Sequence, residues 1–253
     1  MTATFSVPLQ SEPFYPSADG KPVAETYDHL YALLTTLEVL KQYLTGRQAT
    51  VLGNQFLYYA QGFPKLRVAP DVMVIFDVTP GGRDNYKIWE EGQVPSVIFE
   101  ITSFGTKAQD QVFKQTLYEQ LGVKEYWLFD PKGEWVQEQL CGYRLRGETY
   151  ETIQDNRSEP LQLQLAVEGR LISFTREDTG EKLLIPDELA EALQQEVLAR
   201  QQAEAQAEQE RQRAEQERQR AEQGRQRAEQ AESQVEELKT RLRSLGVDPD
   251  AIE

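Results

Sequence analysis

Two acidic residues in apolar surroundings are the first candidates for chemistry in this chain. Asp71 follows Pro70 at the start of the apolar run 72–76, and Glu100 lies inside a second apolar run at 96–102. Carboxylates on two neighbouring strands could bind Mg²⁺, because this ion prefers hard oxygen ligands and takes few of them from the protein. The pattern therefore predicts a minimal magnesium site, which phosphate and water oxygens would complete.

Glu100 is the residue that most needs a partner. An isolated carboxylate among Val97, Phe99 and Ile101 would either destabilise the fold or titrate with a raised pKa. A metal ion or a cationic side chain would relieve that cost. The structural alternative stays open, in which each acid merely ends a strand or pairs with a lysine.

The elements that must position these acids follow from the spacing of apolar residues. Residues 24–44 place leucines at steps of three and four, which predicts an amphipathic helix with one buried face. Short runs rich in β-branched and aromatic residues predict strands at 49–52, 55–60, 68–78 and 96–102. A helix over 107–121 and a strand over 124–130 would complete a crossover, so we expect a partly parallel sheet.

The remainder of the first 186 residues predicts a series of short strands. These strands are expected at 135–145, 149–153, 161–167, 170–174 and 182–185. We therefore assign the chain to the α/β class, with a mixed sheet flanked by helices. An extended arm over 1–21, rich in Pro, Ser and Gly, precedes the domain that we place at 22–186.

Residues 187–246 have a different composition from the domain before them. They contain no aromatic residue and predict one long helix that ends at Gly246, followed by a short tail over 247–253. A seven-residue repeat beginning Arg-Gln-Arg-Ala-Glu-Gln occurs three times from Arg211, but only the last two heptads have good apolar seam positions. Two interpretations stay open: a charged helix in solvent, stabilised by Glu/Arg pairs four residues apart, or a weak coiled coil.

The charge balance argues against a broad nucleic-acid-binding surface. The chain has 42 Asp and Glu against 27 Lys and Arg, which gives a formal net charge of −15, and acids are in excess on both sides of residue 190. Proteins that bind nucleic acid usually neutralise many phosphates with basic side chains. A local basic rim beside a metal site would still allow contact with a phosphodiester.

Other functional classes are disfavoured by what the sequence lacks. The single cysteine, Cys141, cannot form an internal disulfide, so we interpret it as a small core residue and expect a reducing, cytoplasmic location. We expect neither export nor membrane insertion, because no signal-like or bilayer-length apolar stretch is visible. The phosphate-binding Gly-Lys loop, the dinucleotide Gly-rich motif and Cys/His zinc spacing are also missing.

Four short motifs occur in a fixed order along the predicted domain. They are Pro70-Asp71, Val97-Ile98-Phe99-Glu100-Ile101, Asp110-x-x-x-Lys114-x-x-x-Tyr118 and Glu125-Tyr126-Trp127-x-x-Asp130-Pro131. Together, over residues 22–185, they resemble the Uma2 family of restriction-endonuclease-like proteins in the PD-(D/E)XK nuclease superfamily. The opening 20–26 and the charged helix also resemble the cyanobacterial type of this family.

The resemblance implies roles for several acidic residues. Asp71 and Glu100 would be the ligands of Mg²⁺ or Mn²⁺ in a restriction-endonuclease-like fold. Glu25 would match the superfamily's first-helix glutamate, which can join the metal site directly or through water. An exposed glutamate that is favoured by the helix dipole is the alternative for Glu25. We interpret His29, one turn later and the only histidine, as structural.

The position of the active-site lysine departs from the usual superfamily pattern. The lysine normally stands two residues after the second acid, where this chain has Thr102. In the Uma2 pattern the matching residue is Lys114 on the following helix, and Lys107 is the substitute candidate. The ammonium group would stabilise developing charge on phosphate or orient the attacking water. The alternative for Lys114 is a surface pair with Asp110, four residues earlier.

Two functions remain open from the sequence. The first is a magnesium-dependent endonuclease that hydrolyses DNA phosphodiester bonds, which the co-occurrence of Asp71, Glu100 and Lys114 favours. The second is a non-catalytic, nuclease-derived interaction protein that assembles through 187–245, which the acidic charge and the long helix favour. DNA is the expected partner in the first case, and a second copy or another helix is the expected partner in the second.

Overall fold

The computed structural model describes residues 13–20, 25–102, 108–136 and 138–246. Its helices are α1 (Tyr27–Tyr43), α2 (Ile88–Glu91), α3 (Ala108–Leu121) and α4 (Pro186–Ser244). Its strands are β1 (Ala49–Gly53), β2 (Leu57–Tyr58), β3 (Arg67–Val68), β4 (Val72–Phe76), β5 (Tyr86–Lys87), β6 (Val97–Ile101), β7 (Glu125–Phe129), β8 (Leu140–Arg146), β9 (Thr149–Ile153), β10 (Arg157–Ser158), β11 (Leu163–Glu168) and β12 (Leu171–Arg176).

Six strands form a central mixed sheet in the order β1-β4-β6-β7-β8-β9. Neighbouring strands are antiparallel except β6 and β7, which run parallel and have α3 between them in the chain. This pair confirms the predicted parallel crossover. All five residues of β6 are buried, which is expected for a strand covered on both faces. The predicted α/β class with a mixed sheet is confirmed.

The two faces of the central sheet pack against different elements. Successive residues of a strand point to opposite faces, so neighbouring side chains belong to different cores. Phe99 and Trp127 face a core that includes α1 and the sheet β10-β11-β12. Ile98 and Tyr126 face a core that includes α3 and the small sheet β3-β2-β5. Glu100 follows Phe99 in β6, so its side chain points toward the face that α3 covers.

A buried ion pair lies at the start of β7. Glu125 is completely buried and pairs with Arg144 of β8, whose Nε donates to Glu125 Oε1 at 2.8 Å. The other donors to this carboxylate are Ser158 Oγ at 2.6 Å, the Glu159 N–H at 3.0 Å and Trp127 Nε1 at 3.1 Å. Burial of a charged carboxylate is tolerated when its oxygens are satisfied in this way.

Several predicted strand boundaries are wrong, and Pro70 explains one of them. The single strand expected over 68–78 is two strands, β3 and β4, because Pro70 lies between them and has no N–H to donate to a ladder. Of the strand expected over 55–60, only β2 forms, and β8 begins at Leu140 rather than at 135. The segment 182–185 forms an isolated bridge at Lys182 instead of a strand.

Some elements were not predicted because they are too short to show a periodic pattern. β5, α2 and β10 contain two to four residues each and depend on contacts with distant segments. The interpretation of Cys141 as a core residue is also wrong. Cys141 is only half-buried, because it lies on β8 next to the edge strand β9.

The chain divides into two compact units, Met1–Leu189 and Ala190–Glu253. The predicted long helix is confirmed as α4, which has no buried residue along its length. Its pairing with a partner as a coiled coil stays a prediction. The tail at 247–253 and most of the arm at 1–21 lie outside the described residues; within the arm, residues 13–20 contain no helix or strand. Among the helices of the described segments, none is long and apolar enough to cross a membrane.

Candidate metal centre

Asp71 and Glu100 lie opposite each other at one end of the central sheet. β4 and β6 pair with Val72 opposite Phe99, so the next position of this antiparallel register brings Asp71 beside Glu100. Asp71 Oδ2 accepts a hydrogen bond of 2.7 Å from the backbone N–H of Ile101. This bond fixes the Asp71 carboxylate against the strand that bears Glu100.

Two side chains of α3 donate hydrogen bonds to Glu100. Lys114 Nζ donates to Glu100 Oε2 at 2.8 Å, and the Tyr118 hydroxyl donates to Oε1 at 2.6 Å. Lys114 and Tyr118 are one helical turn apart, so both side chains reach the same point from one face of α3. Glu100 is 5% exposed, which makes this a largely dry carboxylate, amine and phenol cluster.

The carboxyl group of Glu100 titrates near neutral pH. Burial raises the pKa of Glu100 to about 7; the negative charge of Asp71 adds to the rise, and Lys114 and Tyr118 oppose it. Burial and the charge of Glu100 also raise the pKa of Tyr118 well above its usual range, so its hydroxyl remains a proton donor. Burial therefore outweighs the effect of Lys114 on the pKa of Glu100.

His29 connects Glu25 to Asp71. Its Nδ1 lies 2.5 Å from Glu25 Oε2, and its Nε2 lies 3.5 Å from Asp71 Oδ2. Burial opposes protonation of the imidazole, but the hydrogen bonds and charges of Asp71 and Glu25 outweigh it and raise the pKa of His29 to about 9. His29 is therefore positively charged at neutral pH, and Glu25 is linked to Asp71 through it.

The carboxylate oxygens of Asp71 and Glu100 are the ligand type that Mg²⁺ and Mn²⁺ prefer. A cation beside Glu100 would also offset the burial that raises the pKa of this carboxyl group. Within the described segments, no group of three or more His, Cys, Asp or Glu side chains is arranged to hold a metal. An ion at this position would therefore take most of its ligands from water and substrate.

The four predicted site residues come from different parts of the fold. Asp71 precedes β4, Glu100 lies on β6 and Lys114 lies on α3. Glu25 precedes α1, because this helix begins at Tyr27 rather than at residue 24 as predicted. Lys114 contacts Glu100 directly rather than only occupying the helix surface. The side chain of its alternative partner Asp110 and the whole of the substitute candidate Lys107 lie outside the described residues.

Two residues of this cluster were not assigned to it from the sequence. The sequence predicts a structural role for His29, but its side chain lies between Glu25 and Asp71. Tyr118 belongs to the third motif and lies four residues after Lys114, which could have indicated that both side chains reach Glu100. In both cases the missing information was the partner on a distant strand.

Comparison with known proteins gives one family match and a set of structural neighbours. The Uma2 family model, described as "Putative restriction endonuclease", matches residues 7–175. Five chains of solved structures match, among them "a putative nuclease belonging to DUF820" from Anabaena variabilis. That chain is 18% identical and has a TM-score of 0.39, with 56% of this chain and 77% of that chain covered. No curated protein matches.

Proposed function

This chain belongs to the Uma2 family, and we propose that it is a metal-dependent endonuclease that hydrolyses phosphodiester bonds of DNA. The main support for this proposal is the position of Lys114. Its ammonium lies 2.8 Å from Glu100 Oε2, at the end of the sheet where Asp71 also lies. Two carboxylates and one amine at the same end of the sheet are the groups that metal-assisted phosphodiester hydrolysis needs.

Each side chain would have a separate task in this reaction. Asp71 and Glu100 would hold a Mg²⁺ or Mn²⁺ ion between two strands, in a geometry that the Ile101 N–H bond to Asp71 keeps rigid. When bound, the ion would supply Lewis-acid polarisation of the phosphate and would lower the pKa of a water molecule. Lys114 would donate to a phosphate oxygen or to the attacking water, and so offset the charge that develops.

Tyr118 and His29 would orient the two carboxylates. Tyr118 donates to Glu100 Oε1, which leaves Oε2 as the oxygen that faces Lys114. His29 lies beside Asp71 and is itself fixed by Glu25. Residues that hold metal ligands in one orientation usually affect metal affinity or activity strongly, although they do not touch the substrate.

Replacing Asp71 with Ala should abolish DNA cleavage, because one of only two carboxylate ligands is lost. We expect a fall in rate of at least about 100-fold, the size seen when one group that stabilises transition-state charge is removed. The measurement is the cleavage of supercoiled plasmid and of single-stranded DNA, with Mg²⁺ or Mn²⁺, followed on gels over time.

The matched control is Asp178→Ala, which removes an exposed carboxylate that pairs with Arg176 at 2.6 Å. It should cut like the wild-type protein. Cleavage that survives Asp71→Ala would show that Asp71 is not a ligand. A wild-type protein that cuts neither DNA with either ion would instead support the non-catalytic interaction protein that assembles through α4.

A further inference from the structure

The segment 54–70 extends from the end of the sheet where the candidate metal centre lies. It connects β1 to β4 and includes the antiparallel strands β2 and β3. At its base, the Asn54 N–H donates to the backbone oxygens of Pro70 at 3.1 Å and Asp71 at 3.0 Å. We call residues 54–70 the β2–β3 hairpin. It is attached directly to the first carboxylate of the site.

The charge of the β2–β3 hairpin is opposite to that of the rest of the chain. Residues 39–70 contain four Lys and Arg and no Asp or Glu, although the chain as a whole has 42 acids and a net charge of −15. Two of these cations, Lys65 and Arg67, lie in the hairpin. In an acidic protein, a segment that carries Lys and Arg but no carboxylate repels an anionic ligand less than the rest of the chain does.

The tip of the hairpin combines this charge with exposed apolar side chains. Phe63 is 62% exposed and Leu66 is 42% exposed. Lys65 between them is also exposed, and it makes no ion pair within the described residues. Exposed aromatic and cationic side chains in one short turn are the combination by which proteins bind unpaired nucleotides, because bases stack on rings while cations neutralise phosphates.

The tip is held in place by its own contacts. Arg67 stacks over the Phe56 ring at 4.2 Å and donates to the Pro64 backbone oxygen at 3.2 Å. The Gly62 N–H donates to the Tyr15 hydroxyl at 2.6 Å. These contacts leave the Phe63 ring outside the core, although a phenyl ring of this size would gain stability from burial.

We propose that the β2–β3 hairpin binds an unpaired stretch of nucleic acid and guides it to the metal centre, with Phe63 stacking on a base and Lys65 contacting the backbone. This inference rests on the proposed function and specifies its substrate. An unpaired strand fits better than a duplex, because the faces of a paired base are already stacked on its neighbours. Lys65 is six residues from Asp71, so an extended chain would place it at most roughly 20 Å away.

The test is binding of a fluorescein-labelled deoxythymidine oligonucleotide, measured by anisotropy in EDTA so that no cleavage occurs. Phe63→Ala should weaken binding at least about fivefold, the lower end of the effect of losing one base-stacking ring. Phe63→Trp should retain binding and Phe63→Leu should not, because Leu keeps the apolar surface without the ring. Lys65→Ala should weaken binding and reduce the slope of log K against log salt by about 0.7.

The matched control is Lys124→Ala, which removes an exposed lysine at the opposite end of the sheet, before β7. It should bind like the wild-type protein. The proposal is overturned if the wild-type protein does not bind the oligonucleotide, if Phe63→Ala and Phe63→Leu bind as well as it does, or if a hairpin duplex binds more tightly. The two proposals can fail separately, because binding is measured in EDTA. A wild-type protein that binds the oligonucleotide through Phe63 and Lys65 but cuts no DNA would contradict the metal centre and not the binding surface.

Discussion

Replacing Lys114 with Met should lower the rate of DNA cleavage by about 100- to 1000-fold, which is the usual cost of removing one donor to a developing oxyanion. Met keeps most of the aliphatic length of lysine but removes the ammonium that lies 2.8 Å from Glu100 Oε2. The rate is measured with supercoiled plasmid and Mg²⁺ at saturating DNA. Under these conditions a lower rate does not result from weaker binding of DNA.

The same variant should have a shifted pH profile. Burial and the charge of Asp71 raise the pKa of Glu100, and Lys114 is the main group that opposes this rise. Without Lys114 the pKa of Glu100 would rise above about 7, so more of the carboxyl group would be protonated at neutral pH and unable to bind a cation. Residual cleavage should therefore increase as the pH is raised from 7 toward 9.

Lys41→Met is the control for loss of a lysine, because Lys41 pairs with Glu38 at 2.9 Å on the exposed face of α1. It should leave both the rate and the pH profile unchanged. A Lys114→Met protein that cuts at the wild-type rate would remove the amine from the mechanism. A protein that loses cleavage only because it unfolds would be recognised by its circular dichroism melting curve.

Replacing Arg144 with Met should destabilise the domain by about 3–5 kcal/mol, the typical cost of leaving one charge of a buried pair without its partner. Glu125 is completely buried, and the Arg144 side chain is 14% exposed. Met fills a similar volume but cannot donate to the Glu125 carboxylate or to the Arg157 backbone oxygen, which Arg144 also contacts.

This loss is measured as a shift of the urea concentration at the unfolding midpoint, with no change in the slope of the unfolding free energy against urea concentration. Arg146→Met is the matched control, because Arg146 is 51% exposed and pairs with Glu159 at 2.7 Å on the surface. Surface pairs contribute at most about 1 kcal/mol, so the control should differ little from the wild-type protein. Equal stability of the two variants would mean that Arg144 does not compensate the charge of Glu125.

The long periodic elements could be predicted from the sequence, whereas the short ones could not. The apolar run around Glu100 and the helix ending at Leu121 give strong local patterns, so β6, α3 and β7 are where the sequence indicates. The small sheet is different. β2 and β5 have two residues each and pair across the chain, as Leu57 does with Tyr86, and such pairing leaves no periodic pattern in either segment.

Part of the candidate site could likewise be predicted from the sequence, and part of it could not. Asp71 and Glu100 could be selected from the sequence because acids are rare in apolar strands. Lys114 could be selected only from the resemblance to a family. The contacts of Lys114 and Tyr118 with Glu100 join residues 14 and 18 positions apart, and the position of His29 beside Asp71 depends on how α1 packs against β4. Such contacts are set by tertiary packing rather than by local spacing.

The central claim, that Asp71 and Glu100 together hold one divalent ion, is tested most directly by anomalous X-ray diffraction from crystals soaked in Mn²⁺. The account predicts a single strong peak between these two side chains, bonded to an oxygen of each, and no such peak in crystals of Asp71→Ala. A peak bonded to other residues, or bound Mn²⁺ that remains in Asp71→Ala crystals at full occupancy, would contradict it.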